Sequence, residues 1–289
     1  LTIMLAVVFL RQTTGGRENI VATSRNFYGT LKVRSSGDRG TASHYHLLSH
    51  GITTHGLQLS QPPYDTWPTS YYGSGSGIGL ALDHFGAVPG GRHLAVVGLG
   101  TGTLAAYGER GDRLRVYEIN PAVLEIARAH FTYLALTKAG VKLVLGDARL
   151  SLEEEWRHGG SQQFDVLALD AFSSDAIPVH LLTREAFELY LHHLKPSGVI
   201  AVHISNRHVD LRPVVEALAR HFELHFATVT HRPGDEDWWL YRTTWMLLSR
   251  DETRVADRAI QAVADDPSDD DAKVILWTDD WASLLGVLR

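Results

Sequence analysis

From residue 93 onward, short apolar runs alternate with stretches of helical spacing, and this alternation constrains the fold more than any other feature. Residues 93–97 form an apolar strand that runs into Gly98-Leu99-Gly100-Thr101-Gly102, and a helix carrying Leu104 and Ala105 follows. Residues 114–119 make the second strand, and residues 121–131 the next helix, with Pro121 at the favoured first-turn position. The third strand, 141–145, meets Gly146-Asp147-Ala148, and the fourth, 164–169, ends at Asp170. A helix over 183–193 is capped by Thr183. A fifth strand over 198–204 and a helix over 213–221 come next. Such a series predicts a parallel sheet covered by helices on both faces.

Two last strands, 222–229 and 243–248, are joined by a loop alone, which predicts an antiparallel hairpin at the sheet edge. That ending distinguishes a class I methyltransferase-like Rossmann fold from the dinucleotide-binding dehydrogenases. The expected sheet is mostly parallel and seven-stranded, with an antiparallel last strand. Residues 18–66 read instead as a small β region of short runs and turns, among them 19–23, 28–33, 45–48 and 56–59. The boundaries expected are 18–66 for this β region and 67–289 for the Rossmann-like, cofactor-binding domain.

Residues 1–17 stand apart. Ile3 to Leu10 is unbroken apolar sequence, shorter than the roughly 20 residues a membrane helix needs. Residue 1 is Leu, and Arg11 and Arg17 follow the run in the manner of a cytoplasmic flank. The run is therefore read as the stump of a transmembrane helix; a first strand or a buried terminal segment is the plainer alternative. A signal peptide is excluded by the missing basic region ahead of the run. The absence of cysteine rules out disulfides and thiolate catalysis and fits a reducing, cytoplasmic setting. The formal net charge of −6, spread along the chain, gives no nucleic-acid footprint.

The chemistry concentrates at the strand ends. The glycines at 98, 100 and 102 let the backbone turn sharply and approach a ligand at a helix N-terminus. Glu118 follows Gly98 by 20 residues, at the next strand end, where a carboxylate can accept both ribose hydroxyls. Together they point to an adenosyl ligand, with NAD as the competitor. Asp147, at the third strand end, borders the expected adenine pocket beside Ala148; a turn residue is the plain reading of a Gly-Asp pair. Asp170 should face the reacting centre, because ligands of open α/β sheets sit beyond the carboxyl ends of the strands. Asp175, on the same loop, could hold an ammonium ion or serve as a cap. His44, His46, His50 and His55 lack a clean metal-ligand spacing and are read as satisfied or exposed, so no metal is expected. Trp238 and Trp239 are either a lid over the pocket or packing residues of the last hairpin.

In order and in kind, these motifs resemble the spermidine synthase family, and most of all its branch in which the synthase-like domain follows membrane helices in a fused transporter-like chain. The resemblance covers the chain from Arg25 to the end. Tyr28-Gly29 and His55-Gly56-Leu57-Gln58 are similar to the family's N-terminal strands, where a Gln contributes to the cofactor site. Pro68 to Gly73 resembles its tyrosine-bearing approach to the first helix, and Thr278-Asp279-Asp280-Trp281 its closing segment. The resemblance implies aminopropyl transfer from decarboxylated S-adenosylmethionine to a small amine. It makes Asp170 the base, has Tyr71, Tyr72 and Asp175 positioning the amine, and assigns Gln58, Gly98, Gly100, Thr101, Gly102, Glu118, Asp147 and Ala148 to the nucleoside. It also allows a homodimer and a cytosolic domain tethered to a membrane. Two departures bear on the substrate. Thr101 stands where the family carries an Asp, and Tyr71-Tyr72-Gly73 lacks the acid of the family's Tyr-His-Glu. A methyltransferase using ordinary S-adenosylmethionine, and a nucleoside-binding sensor domain, are therefore the alternatives.

Overall fold

The structure, a computed structural model, describes residues 19–171, 178–266 and 275–289. The apolar run at the N-terminus and Asp175 lie outside them. Four antiparallel strands come first, in the order β1 (Asn19–Asn26), β2 (Gly29–Ser36), β3 (Tyr45–His50) and β4 (Thr53–Leu59). Their alternation is plain in β2, where Leu31, Val33 and Ser35 are buried and the residues between them are not.

The rest of the chain interleaves strands and helices. Its strands are β5 (His93–Val97), β6 (Arg113–Glu118), β7 (Gly140–Leu145), β8 (Phe164–Leu169), β9 (Leu194–His203), β10 (His225–His231) and β11 (Thr243–Ser249). Its helices are α1 (Gly77–His84), α2 (Pro121–His130), α3 (Tyr133–Leu136), α4 (Ala148–Gly159), α5 (Arg184–His193), α6 (Arg212–His221), α7 (Glu252–Val255) and α8 (Arg258–Gln261). The strands form one sheet in the order β10-β11-β9-β8-β5-β6-β7. β11 is antiparallel to both its neighbours and separates β10 from β9, so the closing hairpin places β10, not the last strand, at the edge.

Burial explains the apolar runs. Every residue of β5 and β8 is buried, as a strand covered on both faces requires. Leu94, Val96, Val166 and Ala168 enter one core, and Ala95, Val97, Leu167 and Leu169 the other. Side-chain caps start the main helices: Ser76 for α1, Asn120 for α2, Asp147 for α4 and Thr183 for α5.

The short helices α3, α7 and α8 were not expected, and two longer stretches also differ from expectation. Thr103–Tyr107, expected as a helix, is a single 3₁₀ stretch. α4 was not expected at all; it buries only Ala148 and Leu152, so its apolar period is faint. No described helix is long and apolar enough to cross a membrane.

The small sheet docks on α2. Asn26 Nδ2 donates to Asn120 Oδ1 at 2.7 Å, and the His46 ring meets the His130 carbonyl at 3.1 Å, so both ends of the helix are held. A cavity of about 790 Å³ lies between the two sheets, at the carboxyl ends of β5, β6, β8 and β9. There the strand order reverses between β5 and β8, the usual place for a ligand in this architecture.

Candidate active site

One half of the cavity is built by the ends of β5, β6 and β7. Gly98 turns at φ +95°, and a Cβ there would stand 2.5 Å from the Asp170 carbonyl oxygen. Only glycine lets the first strand end this close to the fourth. Glu118 then locks the loop: Oε2 accepts from the Leu99 N–H at 2.9 Å and Oε1 from the Asn120 N–H at 2.8 Å. Burial raises the Glu118 carboxyl above the ordinary glutamate value, against the opposing pull of those backbone N–H groups. Asp147 also lines the cavity. Its Oδ1 caps α4 through the Leu150 N–H, and its Oδ2 lies 3.0 Å from His180 Nε2. Gly98, Gly100, Glu118, Asp147 and Ala148 thus share one wall.

Three residues expected there do not line the cavity. Gln58 is buried, and its amide is spent on the Asp65 carbonyl, the Thr132 hydroxyl and the Thr132 N–H. Thr101 is 1% exposed, bonds the Thr103 hydroxyl at 2.7 Å, and packs so closely on Gly56 that a Cβ on that glycine would collide with it. Gly102 faces Leu134 and Leu99 instead.

The other half carries a row of polar groups. The Tyr72 hydroxyl donates to Asp170 Oδ2 at 2.6 Å, and His203 Nδ1 lies 2.6 Å from Asp170 Oδ1. His203 Nε2 continues to Ser205 Oγ at 2.9 Å and Thr243 Oγ1 at 3.0 Å. Trp245 stacks on the imidazole, rings 4.5 Å apart and 8° from parallel, and the Tyr71 ring lies 5.4 Å away. Burial, reinforced by the Asp170 charge, holds the Tyr72 phenol well above its ordinary pKa, so it keeps its proton and donates. The backbone supports the row: Tyr107 Oη donates to the Tyr72 carbonyl at 2.5 Å and Trp245 Nε1 to the Tyr71 carbonyl at 3.2 Å. Tyr71, Tyr72 and Asp170 meet as expected. His203 was missed, although a polar residue ending an otherwise apolar strand is a signal.

Trp238 and Trp239 pack rather than line the cavity, against Tyr45 and Trp67 respectively. Of the four N-terminal histidines, His44 and His46 bond within the protein, whereas His50 and His55 reach the cavity. Among the described residues no cluster of three or more ligating side chains could hold a metal ion.

The fold is similar to that of solved structures. A spermidine synthase from Thermotoga maritima matches with a TM-score of 0.55 at 12% identity, covering 91% of this chain and 82% of that one. This is the spermidine synthase fold. A probable spermidine synthase from Corynebacterium glutamicum matches at 0.56 and 19% identity, covering 80% of each chain. A spermidine synthase in complex with the transition state analogue AdoDATO matches at 0.52 and 12%, covering 91% of this chain and 82% of the other. In sequence, the chain is 31% identical over 114 residues to the polyamine aminopropyltransferase of Vibrio vulnificus, which is 38% of this chain and 36% of that protein. An uncharacterised protein of Methanocaldococcus jannaschii is 31% identical over 110 residues, again 38% and 36% of the two chains. The match therefore spans little more than a third of the length of these curated relatives. No family model matches. Fold and sequence together relate the chain to the spermidine synthase family.

Proposed function

We propose that this chain is an aminopropyltransferase of the spermidine synthase kind, which moves an aminopropyl group from decarboxylated S-adenosylmethionine to a small amine. One observation carries it: the Tyr72–Asp170–His203 row stands in the same cavity as the Gly98–Glu118 wall, at the carboxyl ends of adjacent strands. The likeness to spermidine synthases, one of them holding AdoDATO, supports it.

Glu118 and the backbone at Gly98 and Gly100 would hold the nucleoside. The sulfonium co-substrate supplies a methylene carbon with a charged leaving group already attached. The amine nitrogen forms the new C–N bond as the C–S bond breaks, and the electron pair of that bond stays on sulfur. Methylthioadenosine leaves. The nitrogen needs a free lone pair, yet an alkyl ammonium holds its proton up to a pH of about 10. Asp170 and His203 are the groups placed to take it. Two donors, Tyr72 and His203, fix the Asp170 carboxylate, and His203 leads on to Ser205 and Thr243.

The test is product analysis with decarboxylated S-adenosylmethionine and a panel of amines. Methylthioadenosine and an aminopropylated amine are expected in equal amounts. Asp170→Asn keeps the shape and loses the charge, so turnover should fall about 100-fold or more while methylthioadenosine affinity holds. Near-normal turnover in the variant would remove Asp170 from the chemistry.

The glycine loop favours a second reading. Residues 98–102 carry no acidic side chain for an aminopropyl ammonium, which suits a methyltransferase using ordinary S-adenosylmethionine. A methylated product with S-adenosylhomocysteine would decide for it.

A further inference from the structure

Past Asp170 and His203, away from the Gly98–Glu118 wall, lies the other end of the cavity. The loop after β9 and the segment leading into β11 bring Arg207 and Arg242 to its wall, and Arg289 joins them through its backbone N–H, which donates to the His208 carbonyl at 3.0 Å. All three side chains are exposed, and no described residue pairs with any of the three guanidinium groups.

The described carboxylates that line the cavity are Glu118, Asp147 and Asp170. Glu118 and Asp147 end β6 and follow β7, on the nucleoside wall. Both oxygens of Asp170 already have partners in Tyr72 and His203. Among the described residues, no side-chain carboxylate lines the arginine end. A diamine that offers one nitrogen to the reacting carbon would push its second ammonium toward these guanidinium groups, with no acidic side chain among the described lining residues of this end to receive it. A carboxylate in the same place would meet planar N–H forks that match its two oxygens.

We propose that Arg207 and Arg242 make this end of the cavity a carboxylate-binding subsite, which takes the carboxylate of a reacting small molecule and not the distal ammonium of a polyamine. Its position beyond the reacting centre rests on the aminopropyl-transfer reading; the charge pattern does not. Two molecules carry the required group. One is an amino-acid-like amine acceptor. The other is ordinary S-adenosylmethionine, which keeps the carboxylate that its decarboxylated form has lost.

Calorimetry on two matched pairs tests the subsite. The first pair is 4-aminobutanoate against 1,4-diaminobutane, with and without methylthioadenosine; the second is S-adenosylmethionine against its decarboxylated form. In at least one pair the carboxylate-bearing member should bind the wild type about tenfold or more tightly, which is about 1.4 kcal/mol. The double variant R207Q/R242Q should erase that preference, while its methylthioadenosine affinity stays within about twofold. Both arginines are exposed and no described residue pairs with either guanidinium, so the variant should fold normally. A preference in the first pair alone assigns the carboxylate to the acceptor, and one in the second alone assigns it to the co-substrate. No preference in either pair, or one that survives the double substitution, overturns the subsite. Wild type that fails to bind methylthioadenosine would overturn the nucleoside reading, and the two pairs would still decide the carboxylate.

Discussion

Glu118 ties the glycine loop to the end of β6. Its two oxygens hold the Leu99 and Asn120 N–H groups, and on the proposed reading the carboxylate also accepts from the ribose hydroxyls. Glu118→Ala should weaken methylthioadenosine by about 1.5–3 kcal/mol for each charged hydrogen bond lost. Because burial raises the carboxyl, it protonates at a higher pH than the ordinary value of about 4.3. Nucleoside affinity should therefore fall as pH drops through that raised value, and the alanine variant should lack this step. In the empty protein the sign reverses. Stability from the neutral acid is fully present at low pH and is lost as pH rises through the folded value. Affinity measured across acidic pH checks both; a flat profile in wild type would remove Glu118 from the ribose site. Spacing alone put Glu118, Gly98 and Asp170 at strand ends, where they line the cavity, because a strand end fixes where its residue stands. Thr101 and Gln58 show the limit of that reasoning. Spacing does not say which way a side chain turns, and both are claimed by partners distant in sequence, Gly56 for one and Thr132 for the other.

At the scale of elements, the period of each run named the strands well and the helices less evenly. β5 and β8 are mostly apolar, broken only by His93 and Asp165, whereas α4 hides its two buried residues among Glu and Arg. What joins the elements is less visible still. Arg92 stands just before β5. Its guanidinium donates to the Leu82 carbonyl in α1 at 2.7 Å, to the Tyr107 carbonyl at 2.8 Å, and through Nε to Asp112 Oδ2 at 2.9 Å. One side chain thus fastens the helix before the glycine loop to the 3₁₀ stretch after it. Arg92→Met should destabilise the fold by about 3–5 kcal/mol, the usual result of removing one partner of a buried pair. Burial pushes the Asp112 carboxyl up, but the Arg92 hydrogen bonds and two backbone N–H groups outweigh it and hold it below the ordinary aspartate value. That contribution is present above the unfolded pKa of about 3.9 and is lost as pH falls through the folded value. Urea denaturation of both proteins at neutral and acidic pH checks the pair: the gap between them should narrow at the acid end. An equal gap at every pH would mean that Arg92 acts through packing alone.

Over the whole molecule, the cavity belongs to neither sheet. Tyr28, Leu31, Leu48 and His50 of the small sheet face Gly98, Glu118 and Asp170 of the large one across it. The sequence shows a β region and a Rossmann-like region, but not that the first supplies a wall to the second. The docking contacts join residues far apart in the chain, such as Asn26 with Asn120 and Gln58 Nε2 with the Thr132 hydroxyl at 2.8 Å. A ligand that fills this space touches both sheets, so it should stabilise both together. At 100 times its dissociation constant, methylthioadenosine should add about 2.7 kcal/mol to the folded state. Hydrogen exchange separates a joint effect from a local one. If the sheets open as a unit, the slowest amides of β2 and β3, around Val33 and Leu48, should slow by about 100-fold, as should those around Val96 in β5 and Leu167 in β8. Protection that rises in β5 and β8 while β2 and β3 stay unchanged would show that the small sheet opens independently. The cavity would then lose one wall each time it did so, and the nucleoside would rest on the glycine loop and Glu118 alone.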